Sequence, residues 1–283
     1  MYRLGFSRLL LSSPCHKSLL AGYAIKCHPS PIPAPKYQQE QHRGYSADDS
    51  STMPINIILT GATGSAGSGV LRQAIADPEV GRITVLTRRP LDTEHEKLKV
   101  IIHQDFNNYE DIASELGDHQ AALWCLGISE RQVTKEEYDV ITYDYAMAAA
   151  KAFGAANPNE SFKFLFLSGQ GVDSTEKSSF TFARVKGKTE NALAKLGHPM
   201  VVSFRPAYIH PDVRTKTSIG TKLVDLLAVP AYKFVPSMIV NAADLGKGML
   251  EVAKYGSDKQ ILSNTEIQKL ANQYSARSSG AKA

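Results

Sequence analysis

Three glycines, Gly61, Gly64 and Gly67, in the stretch NIILTGATGSAGSGVLRQAIADP over residues 56–78, have the type and spacing to do chemistry. They stand where an apolar, β-branched run gives way to a helical pattern. Backbone N–H groups at such a helix start can meet an anion with no side chain in the way. Gly61 permits a tight turn off the strand, Gly64 lets a pyrophosphate approach the backbone, and Gly67 lets the helix pack closely on the sheet. With Thr63, Ser65 and Ala66 between them, these residues are the candidate phosphate cradle of a dinucleotide. A strand-to-helix turn without a ligand is the alternative. The loop's place at the first strand of a βα series favours the ligand.

The second strand bears on which dinucleotide. An NAD site usually carries Asp or Glu about 20 residues on, to hold the ribose 2′-hydroxyl. This chain has Thr87, Arg88 and Arg89 there. Two guanidinium groups suit a 2′-phosphate, so NADP(H) is the expected cofactor, with an exposed basic turn before Pro90 as the alternative reading.

The elements that must position these residues alternate. Strands are expected at NIILTG, RITVLTR (82–88), KVIIHQD (99–105), AALWCLG (121–127), KFLFLSG (163–169) and MVVSFRPAYI (200–209). Helical patterns at 67–77, 109–116, 135–155 and 181–196 separate them. Strands and helices in this order need right-handed crossovers and build a doubly wound parallel α/β sheet. Beyond residue 210 the pattern is less regular, with helices expected near 218–228 and 242–254, a short strand at KQILS and a terminal helix. This is read as a small C-terminal extension on the substrate side.

A composition of 43% hydrophobic and 21% charged residues is that of a globular protein with a sizeable core. No apolar run approaches the roughly 18 residues of a membrane span. Three cysteines, Cys15, Cys27 and Cys125, make neither a disulfide framework nor metal-ligand spacing, so no metal is expected. The net charge of +4 is concentrated at the start of the chain: Arg3, Arg8, Lys17, Lys26, Lys36 and Arg43 stand against Glu40 alone within residues 1–45. The body is near neutral and gives no reason to expect nucleic acid. MYRLGFSRLLLSS is basic and amphipathic, as a mitochondrial presequence is, and Arg8 interrupts the apolar centre that a secretory signal needs. Residues 1–52 are therefore read as presequence and linker, with cleavage after Tyr45 in HRGYSADD, and residues 53–283 as the folded domain. A disordered Pro-, Gln- and Ser-rich tail with Met53 as the true start is the alternative.

TGATGSAGSGV at 60–70 resembles the nucleotide loop of the short-chain dehydrogenase/reductase superfamily, whose extended and atypical branches space their glycines this way. The likeness runs over residues 54 to about 250 and takes in Asp105, CLG at 125–127, FLFLSGQG at 164–171, VKG at 185–187, FRPAYI at 204–209 and NAADLGKGM at 241–249. The group resembled is the atypical one of Tat-interacting-protein-like oxidoreductases and their fungal mitochondrial relatives. The resemblance implies a Rossmann-type fold, an adenine contact at Asp105, cofactor contacts at Leu126 and Gly127, and nicotinamide-side contacts at Pro206 and Ala207. It also implies that the segment from about 211 to 240 covers the substrate.

The superfamily pairs a serine at the end of the fifth strand with Tyr-x-x-x-Lys on the next helix, the tyrosine acting as acid or base and the lysine lowering its pKa and holding the nicotinamide ribose. Ser168 and Lys186 match; the position four before Lys186 is Phe182, which has no proton to give. General acid catalysis typically contributes about 10² to 10⁴ in rate, a gap another group would have to fill. Tyr143 and Tyr145 on the long helix after the fourth strand, and Tyr208 and His210 after the sixth, lack the spacing to Lys186; Tyr143 and Tyr145 are read as helix packing and His210 as a loop residue before Pro211. Two functions follow: an NADP(H)-dependent oxidoreductase acting on a carbonyl or quinone-type small molecule, or a non-catalytic NADPH-binding sensor or assembly protein docking on mitochondrial partners.

Overall fold

The computed structural model describes residues 53–211 and 238–280. The expected presequence and the helix near 218–228 lie outside them, as does most of the substrate-side segment. Seven parallel strands form one sheet in the order β3-β2-β1-β4-β5-β6-β9. They are β1 (Ile55–Thr60), β2 (Val80–Thr87), β3 (Leu98–Ile102), β4 (Ala121–Trp124), β5 (Lys163–Leu167), β6 (Met200–Arg205) and β9 (Ile261–Ser263). Covered on both faces, the central strands read as unbroken apolar runs: Ile57, Ile58 and Leu59 are all fully buried. Alternate residues feed two cores. Ile57 and Leu59 join Val70, Leu245 and Met249 on one face, while Ile58 joins an aromatic cluster on the other. In that cluster Trp124 stacks on Phe164 at 5.8 Å and Tyr109 meets Phe153 edge-on at 5.1 Å.

The first core lies under α1 (Ser65–Ala76), α5 (Ala242–Tyr255) and α6 (Asn264–Gly280). The second includes residues of α3 (Tyr145–Ala156) and α4 (Thr181–Ala194). The helix expected at 135–155 is α2 (Lys135–Asp139), opened by a Thr134–Glu137 capping box, and α3, with a π-helical turn at Val140–Asp144 between them. The short helix expected near 109–116 is a 3₁₀ helix, Glu110–Glu115.

MVVSFRPAYI is not one strand. It breaks after Arg205, where Pro206 has no N–H to continue a ladder, into β6 and β7 (Tyr208–His210). β7 leaves the main sheet and pairs in parallel with β8 (Ile239–Asn241), a strand not expected from the sequence. Asn264 ties the break down: its side-chain carbonyl accepts from the Ala207 N–H at 3.0 Å, and its amide donates to the Ile239 carbonyl at 3.2 Å.

At the opposite end of the sheet, the Lys254 ammonium reaches the Asp77 carboxylate at 2.7 Å, with Lys254 side chain 8% and Asp77 2% exposed. The Tyr274 hydroxyl also donates to Asp77, at 2.9 Å. This joins α5, α6 and the end of α1. Truncating the lysine strands a buried carboxylate, so Lys254→Ala should cost about 3 to 5 kcal/mol in urea unfolding. A loss below about 1 kcal/mol would mean that the pair behaves as a solvent-screened surface bridge.

Candidate functional site

The sheet reverses its winding between β1 and β4, and in open α/β sheets the crevice beyond the carboxyl ends of such strands is where ligands bind. Here that crevice is built from bare backbone. Gly61 leaves β1 with φ +70, and a Cβ there would lie 2.4 Å from the Cys125 carbonyl oxygen beyond β4. The Gly61 carbonyl accepts the Gly64 N–H at 2.9 Å, and the Gly64 carbonyl accepts the Ser68 N–H at 3.0 Å as α1 begins. A Cβ at Gly67 would sit 2.2 Å from the Gly61 oxygen. The absent side chain at 67 thus serves the closure of the loop, not only helix-on-sheet packing. Thr63, Gly64 and Ser65 are exposed, Ala66 is half-buried, and the first N–H groups of α1 have no partner within the helix. This arrangement can hold a pyrophosphate.

The end of β4 is fastened beside the loop. The Leu126 N–H donates to the Thr60 hydroxyl at 3.2 Å, and a Cβ on Gly127 would meet nothing within 4 Å. Past β2, Arg88 and Arg89 are exposed, and past β3 so is Asp105. The Gln104 side-chain amide donates to the Arg88 carbonyl at 2.9 Å and ties the two loops together. Asp105 receives the Asn107 N–H at 2.9 Å, forming its own turn. These three residues therefore share the carboxyl edge of adjacent strands on the glycine-loop side of the sheet.

Beyond β5 and β6 lies a cavity of about 440 Å³ whose walls include Ser168, Gly169, Gln170, Phe182, Pro206, Ala207 and Tyr208. Ser168 is 7% exposed. Its hydroxyl oxygen is buried with no hydrogen-bond partner, an orphan that fits a ligand oxygen. The Lys186 ammonium donates to the Leu167 carbonyl at 2.8 Å and lies 5.0 Å from the centre of the Phe166 ring. Burial lowers its pKa to about 8, with Glu190 and Cys125 acting in the opposite direction. The tip of the Phe182 ring rests on Gly169, where a Cβ would be 2.8 Å from its Cζ. Its N–H, at the start of α4, donates to the Glu130 carboxylate at 2.8 Å.

No family model matches the chain. Among curated proteins, it is 33% identical over 148 residues to the leucinostatins biosynthesis cluster protein T of Purpureocillium lilacinum, covering 51% of this chain and 53% of that one. The match thus spans about half the length of that relative. It is 24% identical to protein HTATIP2 of Rattus norvegicus over 70% of this chain and 85% of that protein. To the mitochondrial protein FMP52 of Candida albicans it is 26% identical, over 77% and 99%. Among solved structures, the Bordetella bronchiseptica enzyme WbmF in complex with NAD+ superposes with a TM-score of 0.57 at 11% identity, covering 80% of this chain and 79% of that one. DesIV, a dTDP-glucose 4,6-dehydratase from Streptomyces venezuelae with NAD bound, gives 0.55 at 17%, covering 77% and 80%. At such identities the structures speak for the fold alone. The chain is thus similar in sequence to the HTATIP2 and FMP52 proteins and shares a Rossmann-type fold with nicotinamide-dinucleotide-binding enzymes.

Against the superfamily pattern, Ser168 and Lys186 lie together at the end of β5, while the tyrosine position presents the ring of Phe182. Tyr143 packs under the Lys188 ammonium, 3.9 Å from its ring centre, and Tyr145 against Phe106 at 5.9 Å. His210 ends β7. Tyr208, by contrast, lines the cavity that holds Ser168.

Several contacts that shape the site join residues too far apart in the chain for the sequence to pair them. Gly69 lets α1 touch α5, since a Cβ would lie 2.5 Å from that of Ala242. Gly187 lets α4 press on the Asp173 carbonyl, 1.9 Å from where a Cβ would be. Glu130 reaches Phe182 across 52 residues.

The glycines of the crevice should separate by stability. Gly61→Ala combines left-handed strain with collision on a backbone oxygen and should cost about 2 kcal/mol or more. Gly127→Ala should stay within about 0.5 kcal/mol in unfolding without nucleotide. Equal losses at the two positions would contradict the packing described.

Proposed function

We propose that this protein is an NADP(H)-dependent oxidoreductase acting on a carbonyl or quinone-type small molecule. The observation that carries the reading is the bare glycine turn at the switch between β1 and β4, with an orphan hydroxyl, Ser168, in the adjoining cavity. Gly61, Thr63, Gly64, Ser65, Ala66 and Gly67 would cradle the pyrophosphate, and Asp105, Leu126 and Gly127 would flank the adenosine half. Arg88 and Arg89 would hold the 2′-phosphate; both are exposed, and neither side chain has a hydrogen-bond or ion-pair partner among the described residues. Lys186 would hold the nicotinamide ribose, with Pro206 and Ala207 beside the ring. When bound, the cofactor supplies the hydride. Ser168 would hydrogen-bond the substrate oxygen, and the largely apolar walls beyond it would exclude water.

Phe182 supports a second reading, a sensor or assembly protein that holds NADPH without turning it over. A bound nucleotide stabilises a fold by mass action whether or not chemistry follows. The relatives named as mitochondrial FMP52 proteins, together with the basic amphipathic start of the chain, support a mitochondrial location and mitochondrial partners for either reading.

Fluorescence titration of the full chain should show NADPH preferred over NADH. Arg88→Ala with Arg89→Ala should reduce that preference tenfold or more, since a charge-assisted hydrogen bond contributes about 1.5 to 3 kcal/mol. Equal affinities in the wild type would show that the guanidinium groups are misassigned. Affinity should fall as pH rises through about 8, where Lys186 loses its charge, and this step should vanish in Lys186→Met. Oxidation of NADPH in the presence of aldehydes, ketones and quinones then separates the readings. Turnover by the wild type supports the reductase; tight binding with activity gained only by Phe182→Tyr supports the sensor.

A further inference from the structure

We propose that Tyr208 is the proton donor of the reductase, a phenol delivered from strand β7 into the cavity where Phe182 offers none. The assignment rests on the reductase reading above. Among the described residues that wall the cavity, Tyr208 carries the one titratable side chain. The neighbouring polar groups, Ser168 and Gln170, donate hydrogen bonds but do not ionise near neutrality. Lys186 is not among those walls: its ammonium is turned onto the Leu167 carbonyl and the face of Phe166.

The backbone explains how a residue so far from the helical position comes to line the same cavity as Ser168. Pro206 ends the β6 ladder and turns the chain out of the main sheet. Its carbonyl accepts the Gln170 N–H at 2.8 Å, which fastens the loop carrying Ser168 to the strand carrying Tyr208. On the other side, the Ala207 N–H is held by Asn264, itself 4% exposed. Tyr208 then pairs with Ile239 in the β7–β8 ladder, so its Cα is fixed from three directions. A proton donor needs this kind of positioning, because the transfer tolerates little displacement from hydrogen-bond range.

The step balances as a carbonyl reduction. The carbonyl carbon accepts a hydride from NADPH as the C–O π bond breaks. The carbonyl oxygen accepts a hydrogen bond from Ser168 and takes the proton from the Tyr208 hydroxyl. An alcohol and NADP+ result, and the phenolate is reprotonated by solvent.

The test uses the full chain, with 9,10-phenanthrenequinone and 4-nitrobenzaldehyde as probes. Tyr208→Phe should bind NADPH within about threefold of wild type, which also shows that it folds, while NADPH oxidation falls about 100-fold or more. A readout independent of activity comes from protein labelled with 3-fluorotyrosine: the fluorine resonance missing from the Tyr208→Phe spectrum should shift when NADP+ is added. Wild-type turnover that survives in Tyr208→Phe, or a Tyr208 resonance indifferent to NADP+, overturns the assignment while leaving the reductase reading in place. Wild-type protein that binds NADPH and consumes none with either probe overturns the reductase reading, and this assignment with it.

Discussion

The carbonyl of Gly61 is the point on which the cleft depends. It receives the Gly64 N–H, and it leaves no room for a side chain at Gly67; next to it, the Cys125 carbonyl leaves none at Gly61. Three backbone segments, the end of β1, the start of α1 and the end of β4, therefore come together with no side chain between them. The exposed amides at the head of α1 are what an anion would meet.

From that point the sheet divides the labour. Strands β1 to β3 carry the glycine loop, the arginines and Asp105 at their carboxyl ends. Strands β5 and β6 carry Ser168, Pro206 and Ala207, with β4 between the two groups through Leu126 and Gly127. Apart from the edge strand β3, both halves stand on largely buried apolar strands, so their relative positions are set by close packing more than by loop chemistry. The long-range bonds act mainly at the margins: Thr60 to Leu126, Gln170 to Pro206, and Asn264 to both Ala207 and Ile239. Each satisfies a backbone group where a strand ends and the ladder can no longer do so.

Much of this is legible in the sequence because strands buried on both faces must be written as continuous apolar runs, and because a glycine loop between such a run and a helix has few other uses. The doubly wound parallel sheet and the residues gathered at its carboxyl edge follow from that. What stays hidden are contacts between residues distant in the chain. Nothing near Gly69 announces Ala242, and nothing near Glu130 announces the N–H of Phe182. The 200–209 run reads as one strand because its composition is uniformly β-forming, yet the missing N–H of Pro206 outweighs propensity and sends Tyr208 to a separate ladder. For the same reason a search for tyrosine at a fixed spacing from Lys186 passes over Tyr208. It reaches the cavity through topology, and spacing along a helix does not encode that.

The central claim is that bare backbone at the β1–β4 switch receives a dinucleotide, and hydrogen exchange of individual amides tests it most directly. NADPH should slow exchange at Ser65, Ala66 and Gly67 and at Gly127, while the distant amides around Asp77 and Lys254 keep their rates. Unchanged exchange in the glycine loop at saturating NADPH, or protection confined to another face of the sheet, would contradict the account.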